Sequence, residues 1–305
     1  MRRGLRRELS LSANSDTLAK AIGSPHRRRI LVPMAFKPIS NSTRELGPNS
    51  DRRFVKYYSE QSLSAATQQR FDGTSRVTLA LRRELGLPTD NLDVVDIGCG
   101  AGSQALMWAE RGHQVQGIDV SAPLIKIATK RAVELDASAC FAVGDAGNLP
   151  IPDASVDVVL VSELLEHLGK WEPCVDEALR VLRPGGVVYL STTNHLCPKQ
   201  QEFTLLAYSW YPRLLKKYCE GLAITTHGHW VQFATFPAVH WFSFYQLRDY
   251  LSSRGVNALD RFDVMETGDS SLRRAIVSAI RNIRLVRYLG HVLTPYTLVV
   301  GYRQK

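Results

Sequence analysis

From position 92 onward, short stretches rich in apolar and β-branched residues alternate with stretches whose apolar positions recur every three or four residues. The first pattern belongs to strands buried on both faces, the second to helices with one face inward. Strands are predicted over 92–97, 114–118, 139–143, 156–161 and 187–191, with helices over 104–111, 122–135 and 173–182. Gly112 stops the first of these helices, Pro123 lies in the first turn of the second, and Pro184-Gly185-Gly186 turns the chain into the fifth strand. Such alternation predicts an α/β, Rossmann-like, mostly parallel sheet with right-handed crossovers and helices on its flanks. A helix over 245–254, closed by Gly255, and strands over 256–265 and 295–302 bring the sheet to seven strands.

Three stretches stand outside that alternation. Residues 51–87 read as helix, with Phe54, Tyr57 and Tyr58 followed by Val77, Leu79, Ala80, Leu81 and Leu85, and Gly86-Leu87-Pro88 as the stop. Residues 271–293 read as one basic amphipathic helix, Arg273, Arg274, Arg281, Arg284 and Arg287 lying among Ile276, Ile280, Ile283, Val286 and Leu289. Residues 197–245 hold 12 of the 26 aromatic residues. They read as an aromatic-rich cap over the site, its rings either packing the cap down or walling an apolar acceptor pocket. The expected division is a basic tail (1–45), a helical extension (46–91), a cofactor-binding core (92–196), the cap (197–245) and a carboxyl-terminal part of the core (246–305).

Composition narrows this picture. With 45% hydrophobic and 22% charged residues, the chain is neither wholly disordered nor collagen-like. No run of 18 apolar residues occurs. The net charge of +9 is concentrated at two ends: 1–40 and 270–305 each carry +7, which leaves −5 for the middle. Basic ends around an acidic centre argue against a nucleic-acid groove and for tails or contact with an anionic membrane surface. The five cysteines are an odd number without a CxxC pair, so neither a disulfide framework nor zinc spacing is present. Thiols of this kind suit a reducing, cytoplasmic compartment. The first 40 residues lack the apolar core of a secretory signal. They read as a disordered tail, as a mitochondrial transit segment, or as an extension upstream of a start at Met34.

The chemistry is expected at the carboxyl ends of the strands, where parallel sheets bind ligands. VVDIGCGAGS at 94–103 places Gly98, Gly100 and Gly102 where a strand turns into a helix. The frame lacks the third glycine of a dinucleotide motif, and no GKS or GKT follows. Asp96 beside the turn would repel phosphate and suit a cation. Asp119 ends the second strand, where a carboxylate accepts both hydroxyls of a ribose. Asp145, followed by Ala146 after the third strand, can accept from a purine amino group. The implied ligand has an adenosine-like end, a positively charged end and no phosphates. His167, after the fourth strand, is a candidate general base with a pKa suited to neutral pH.

VVDIGCGAGS, GIDVS, VGDAGNLPIPDASVDVVLVSELLEHL and VLRPGGVVYLSTTN, in this order and spacing, resemble class I S-adenosylmethionine-dependent methyltransferases over residues 92–195. The resemblance implies S-adenosylmethionine as cofactor, with Asp96, Gly98, Cys99 and Gly100 around its methionine part. Asp119 and Val120 would hold ribose and adenine, Asp145 and Ala146 the adenine edge, and Ser162 the methionine part. The E-x-x-E-H arrangement is similar to the ubiquinone-biosynthesis O-methyltransferase group, where residues like Glu163, Glu166 and His167 are associated with a divalent metal. That group lacks such an aromatic insertion, so the resemblance implies the reaction more than the quinone substrate. His227, His229 and His240 read as satisfied or acceptor-site histidines, one of which could replace His167 as base.

The function expected is methyl transfer to an oxygen of a small or lipid-linked acceptor, a ubiquinone-precursor-like phenol or a glycolipid. An RNA or protein methyltransferase is the first alternative, although [DN]PP[YF] is missing after the fourth strand. A non-catalytic membrane-surface protein retaining the cofactor fold is the second.

Overall fold

A computed structural model describes residues 52–199, 203–230, 238, 240–265 and 270–304. The basic tail lies outside the described residues. The apolar runs form β1 (Asp93–Ile97), β2 (Gln114–Asp119), β3 (Ala139–Val143), β4 (Val156–Ser162) and β5 (Leu182–Thr193), and β6 (Val256–Asp260) and β7 (Tyr296–Arg303) complete the sheet. The order is β3-β2-β1-β4-β5-β7-β6, with β7 antiparallel to both its neighbours. The sequence expectation of a Rossmann-like, mostly parallel seven-stranded sheet holds.

Alternate strand residues feed two cores. On one face Val94, Val115, Leu160 and Tyr189 meet Leu81 of α2 (Ala65–Glu84) and Ala105 and Trp108 of α3 (Ser103–Glu110). On the other, Val95, Ile97, Val159, Val161 and Leu190 meet Val175 and Ala178 of α5 (Glu172–Val181) and Leu247 and Leu251 of α7 (Phe244–Ser252). Truncating any of these large side chains to alanine should cost about 2–5 kcal/mol. The scaffold that positions the strand ends is thus stiff. A fourth helix, α4 (Ala122–Glu134), covers β2 and β3.

The stretch read as one helix over 51–87 is two, α1 (Arg52–Gln61) and α2. Ser64 caps α2 by accepting from the Thr67 N–H at 3.3 Å, and the intervening turn redirects α1 to pack against α4. The stretch 271–293 is likewise two helices, α8 (Ser271–Asn282) and α9 (Arg284–Val292). Ile283 breaks them with φ −106° and ψ 108°, values a β-branched residue adopts readily, so neither glycine nor proline marks the break. The break sets Arg287 and His291 against the fully buried Asp260, at 2.7 and 2.9 Å.

Two strand expectations also shift. β5 begins pairing at Leu182 opposite Val156 and resumes at Val187 opposite Val158, so the expected turn is a wide bulge inside the strand. β6 stops at Asp260 rather than 265, because the Asp260 carboxylate accepts from the N–H groups of Phe262 and Asp263 and closes a turn. In the aromatic segment, α6 (Arg213–Thr225) lies between short 3-10 turns at Tyr208–Trp210 and Gly228–Trp230. Phe203 stacks on Tyr208 with centroids 4.0 Å apart, and Lys216 lies 4.2 Å over Trp241. Phe233 and Phe236 lie outside the described residues. No helix among the described residues is long and apolar enough to cross a membrane.

Candidate active site

The strand order turns back between β1 and β4, and a cavity of about 580 Å³ opens beyond their carboxyl ends. Its floor is the loop from Gly98 to Gly102. Gly100 has φ +53°, and a side chain added there would point into open space, so bare backbone faces the cavity. Gly102, at φ +80°, starts α3 where a Cβ would come within 2.8 Å of Ala128 and Phe141. Its missing side chain is what lets the loop lie against α4 and β3. From the end of β2, Asp119 holds the loop by accepting from the Gly100 N–H at 2.9 Å and from the Ser121 N–H at 2.8 Å.

The walls come from three directions. β1 and its loop supply Asp96, Gly98, Cys99 and Gly100, and α3 supplies Gln104. β4 and the segment after it supply Ser162, Glu163 and His167. The roof is α1 and α2, through Tyr57, Tyr58, Arg70 and Phe71, with Tyr296 of β7 at one side.

Three buried polar atoms on this wall lack a hydrogen-bond partner: Asp96 Oδ2, Gln104 Nε2 and Ser162 Oγ. Unsatisfied buried groups are costly, so their convergence on one cavity marks a ligand-binding surface. Asp96 is only 2% exposed. Burial, and then the nearby Asp119 charge, push its carboxyl up to about 8, although the Ala105 N–H opposes the shift. A cationic ligand group would return it to the carboxylate form. Burial also drives the Cys99 thiol well upward, which leaves it a neutral wall atom rather than a nucleophile. His167 sits on a short 3-10 turn at the cavity, and burial lowers its pKa, favouring the neutral base.

Glu163 holds a φ of +53°, a strained value for a non-glycine residue. Its Oε1 accepts from Ser191 Oγ at 3.0 Å and its Oε2 lies 3.6 Å from Arg70 of the roof. Glu166 turns away from the cavity: it is buried, accepts from Thr192 Oγ1 at 2.7 Å, and its carbonyl accepts from the His240 N–H at 3.2 Å. The Glu163, Glu166 and His167 set that the resemblance associates with a divalent metal is not gathered at one point, and among the described residues no cluster of three or more His, Cys, Asp or Glu could hold a metal ion.

Six predicted residues line the cavity together: Asp96, Gly98, Cys99, Gly100, Ser162 and His167. Asp119, Val120, Asp145 and Ala146 end or follow the adjoining strands and are not among its lining residues. Val120 is exposed, and Asp145 is engaged in a turn through the Gly147 N–H at 2.9 Å. The expected cap does not supply the roof, since no described residue of 197–245 lines the cavity. Phe203, Tyr208, Tyr211 and Trp241 pack on one another, and the His227 ring packs 4.3 Å from Trp230. The roof residues Tyr57, Tyr58, Arg70 and Phe71 were missing from the sequence expectation, as was Gln104. The Tyr57–Tyr58 pair and the Ser64 cap were the available signals.

The site is thus a cavity at the switch point of an α/β sheet whose buried, unpartnered carboxyl suits a positively charged ligand group. Residues 95–190 match the family model described as methyltransferase domain. The chain is 34% identical over 139 residues to norajmaline N-methyltransferase of Rauvolfia serpentina, across 44% of this chain and 46% of that protein. It is 33% identical over 125 residues to ubiquinone biosynthesis O-methyltransferase of Alkalilimnicola ehrlichii, across 41% of this chain and 50% of that one. The chain thus spans about half the length of these curated relatives. A crystal structure of an S-adenosylmethionine-dependent methyltransferase from Mesorhizobium loti aligns over 76% of this chain and all of that one, with 19% identity and a TM-score of 0.49. The resemblance of the core to class I S-adenosylmethionine-dependent methyltransferases, the ubiquinone O-methyltransferases among them, is borne out.

Proposed function

We propose that the protein is an S-adenosylmethionine-dependent methyltransferase acting on a hydroxyl of a small or lipid-linked acceptor. The observation that carries the reading is Asp96, a buried carboxyl with an unpartnered Oδ2 beside the bare backbone of Gly100. A ligand bearing positive charge and no phosphate is what that pair of features accommodates. Gln104 Nε2 and Ser162 Oγ offer a donor and a hydroxyl to its polar end. Asp119, already fixed by two backbone N–H groups, has lone pairs left for a ribose. When bound, the cofactor supplies a methyl group on a sulfonium leaving group, so the protein's share is alignment, exclusion of water and removal of a proton.

His167 supports oxygen as the acceptor atom. Its lowered pKa keeps the imidazole neutral at pH 7, ready to take a proton from a hydroxyl. A neutral amine needs no proton removed before it attacks. The aromatic roof of Tyr57, Tyr58 and Phe71 suits a flat or apolar acceptor.

Calorimetry of the full chain with S-adenosylmethionine and its demethylated product tests the reading. Both should bind, and Asp96→Asn should weaken both by at least about tenfold. No binding by the intact chain would overturn the reading. Mass analysis of a labelled product then separates oxygen from nitrogen methylation.

A further inference from the structure

α9 is built inside out. Its inward face is polar: Arg287 donates to Asp260 at 2.7 Å and also pairs with Asp263, and His291 bonds Asp260 at 2.9 Å. Gly290 lies so close to Phe262 that a Cβ there would come within 2.6 Å of the ring. The outward face carries Leu285, Tyr288, Leu289 and Leu293, spaced i, i+3, i+4 and i+8. The leucines of that stripe are 49–80% exposed. Leu272 and Ile276 on α8 are similarly exposed, while Val277 is the buried residue of that helix. A water-facing helix normally shows the reverse arrangement.

Polar bonds connect the end of α9 to the aromatic segment. Asn194 Nδ2 donates to the carbonyls of His291 and Thr294 at 2.8 and 2.6 Å, and Trp210 Nε1 donates to the carbonyl of His195 at 2.8 Å. These bonds tie the exposed Trp210, with the exposed Leu214 next along α6, to the carboxyl end of α9. The two helices themselves carry charge of one sign, five Arg and no Asp or Glu, with Arg287 turned inward to Asp260 and Asp263. Arg273, Arg274 and Arg284 are exposed there.

We infer that the outward face of α8 and α9 docks on an anionic lipid bilayer, the leucines entering the interface and the arginines meeting lipid phosphates. A second copy of this chain would bring like charges together across a two-fold contact. A nucleic acid would use the arginines and leave the leucine stripe in water. A bilayer uses both, as interfacial helices do. The residues 1–40 are also net positive, so they offer no complementary charge to cover this face. The inference stands apart from the methyltransferase reading, since none of these side chains lines the cavity.

Co-sedimentation of the full chain with vesicles is the test. Vesicles of phosphatidylcholine with one-third phosphatidylglycerol should pellet the protein, and pure phosphatidylcholine should not. The double substitution Leu285→Glu and Leu289→Glu should reduce binding by more than about tenfold. Arg273→Gln, Arg274→Gln and Arg284→Gln together should reduce it by about a hundredfold, near fivefold for each charge. Leu293→Glu, at the most exposed position, gives a second probe should the double variant melt early. Undiminished pelleting of folded leucine variants would overturn the inference. So would a solution dimer that the leucine changes split, or binding to duplex RNA that only the arginine changes abolish.

Discussion

Arg131 of α4 donates to the carbonyl of Ala101, in the glycine loop, at 3.0 Å. The same guanidinium reaches Ser103 Oγ at 3.1 Å, Ser62 Oγ at 3.3 Å and, through its other nitrogen, the carbonyl of Ser59 at 3.0 Å. One side chain therefore joins the floor of the cavity to the helices that roof it. The planar fork, with donors on separate nitrogens, is what allows a single residue to serve both segments.

Arg131→Lys should weaken cofactor binding by about tenfold, because a point charge cannot keep the forked set of bonds. The turnover number should change much less, since no atom of Arg131 touches the reacting groups. Calorimetry and steady-state kinetics on the same preparation separate the two effects.

His167→Ala should lower turnover by roughly 10²–10⁴-fold with little change in cofactor affinity. In the intact enzyme, activity should fall on the acid side as the imidazole is protonated. Burial lowers the His167 pKa, so that inflection should lie below the ordinary imidazole value of 6.5. A pH profile of kcat/KM reads it directly.

Asp96→Asn should strengthen the empty fold while weakening cofactor binding. Burial and then the Asp119 charge push the carboxyl up to about 8, against 3.8 for an ordinary group. Between those values the native state holds a proton that the unfolded chain releases, so stability falls as pH rises across the window. Asparagine removes that slope and should raise stability at pH 8 by an amount on the order of a few kcal/mol. Wild-type affinity for the cofactor should climb with pH up to about 8 and then level. Denaturant melts at two pH values and a calorimetric series check both outcomes.

Asp260→Asn should be among the most damaging single changes outside the cavity. Burial alone would push the carboxyl up, but the bonds from His291 and Arg287 outweigh it and hold the group down at about 2. Its stabilising share is present above the ordinary value of 3.8 and is lost only as pH falls toward 2. Removing the charge leaves Arg287 facing one carboxylate, Asp263, instead of two, and should cost about 3–5 kcal/mol in a denaturant melt.

Most of the sheet and half of the site were legible in the sequence. β4 is apolar enough to be marked by its own residues, β1 to β3 are marked by their place in the strand-helix alternation, and Gly98 and Asp96 announce the turn that follows β1. The roof was not legible, because α1 and α2 reach the cavity by a change of direction at Ser62–Ser64 that no apolar pattern encodes. The break at Ile283 was hidden for a related reason: a tertiary ion pair at Asp260, not a local breaker, decides where α8 ends. In the aromatic segment the sequence left packing and a pocket wall both open, because ring density signals a packed cluster as readily as a pocket, and the structure shows the packed cluster. Its rings meet Tyr208 and Trp241, and Lys216 completes that cluster.

β7 is inserted between β5 and β6, and so residues Tyr296–Arg303 sit in the interior of the sheet. A polypeptide stopped by a nonsense codon before Tyr296 would present two unpaired edges at once, inviting aggregation. During synthesis, β6 has no strand to pair with until β7 has emerged.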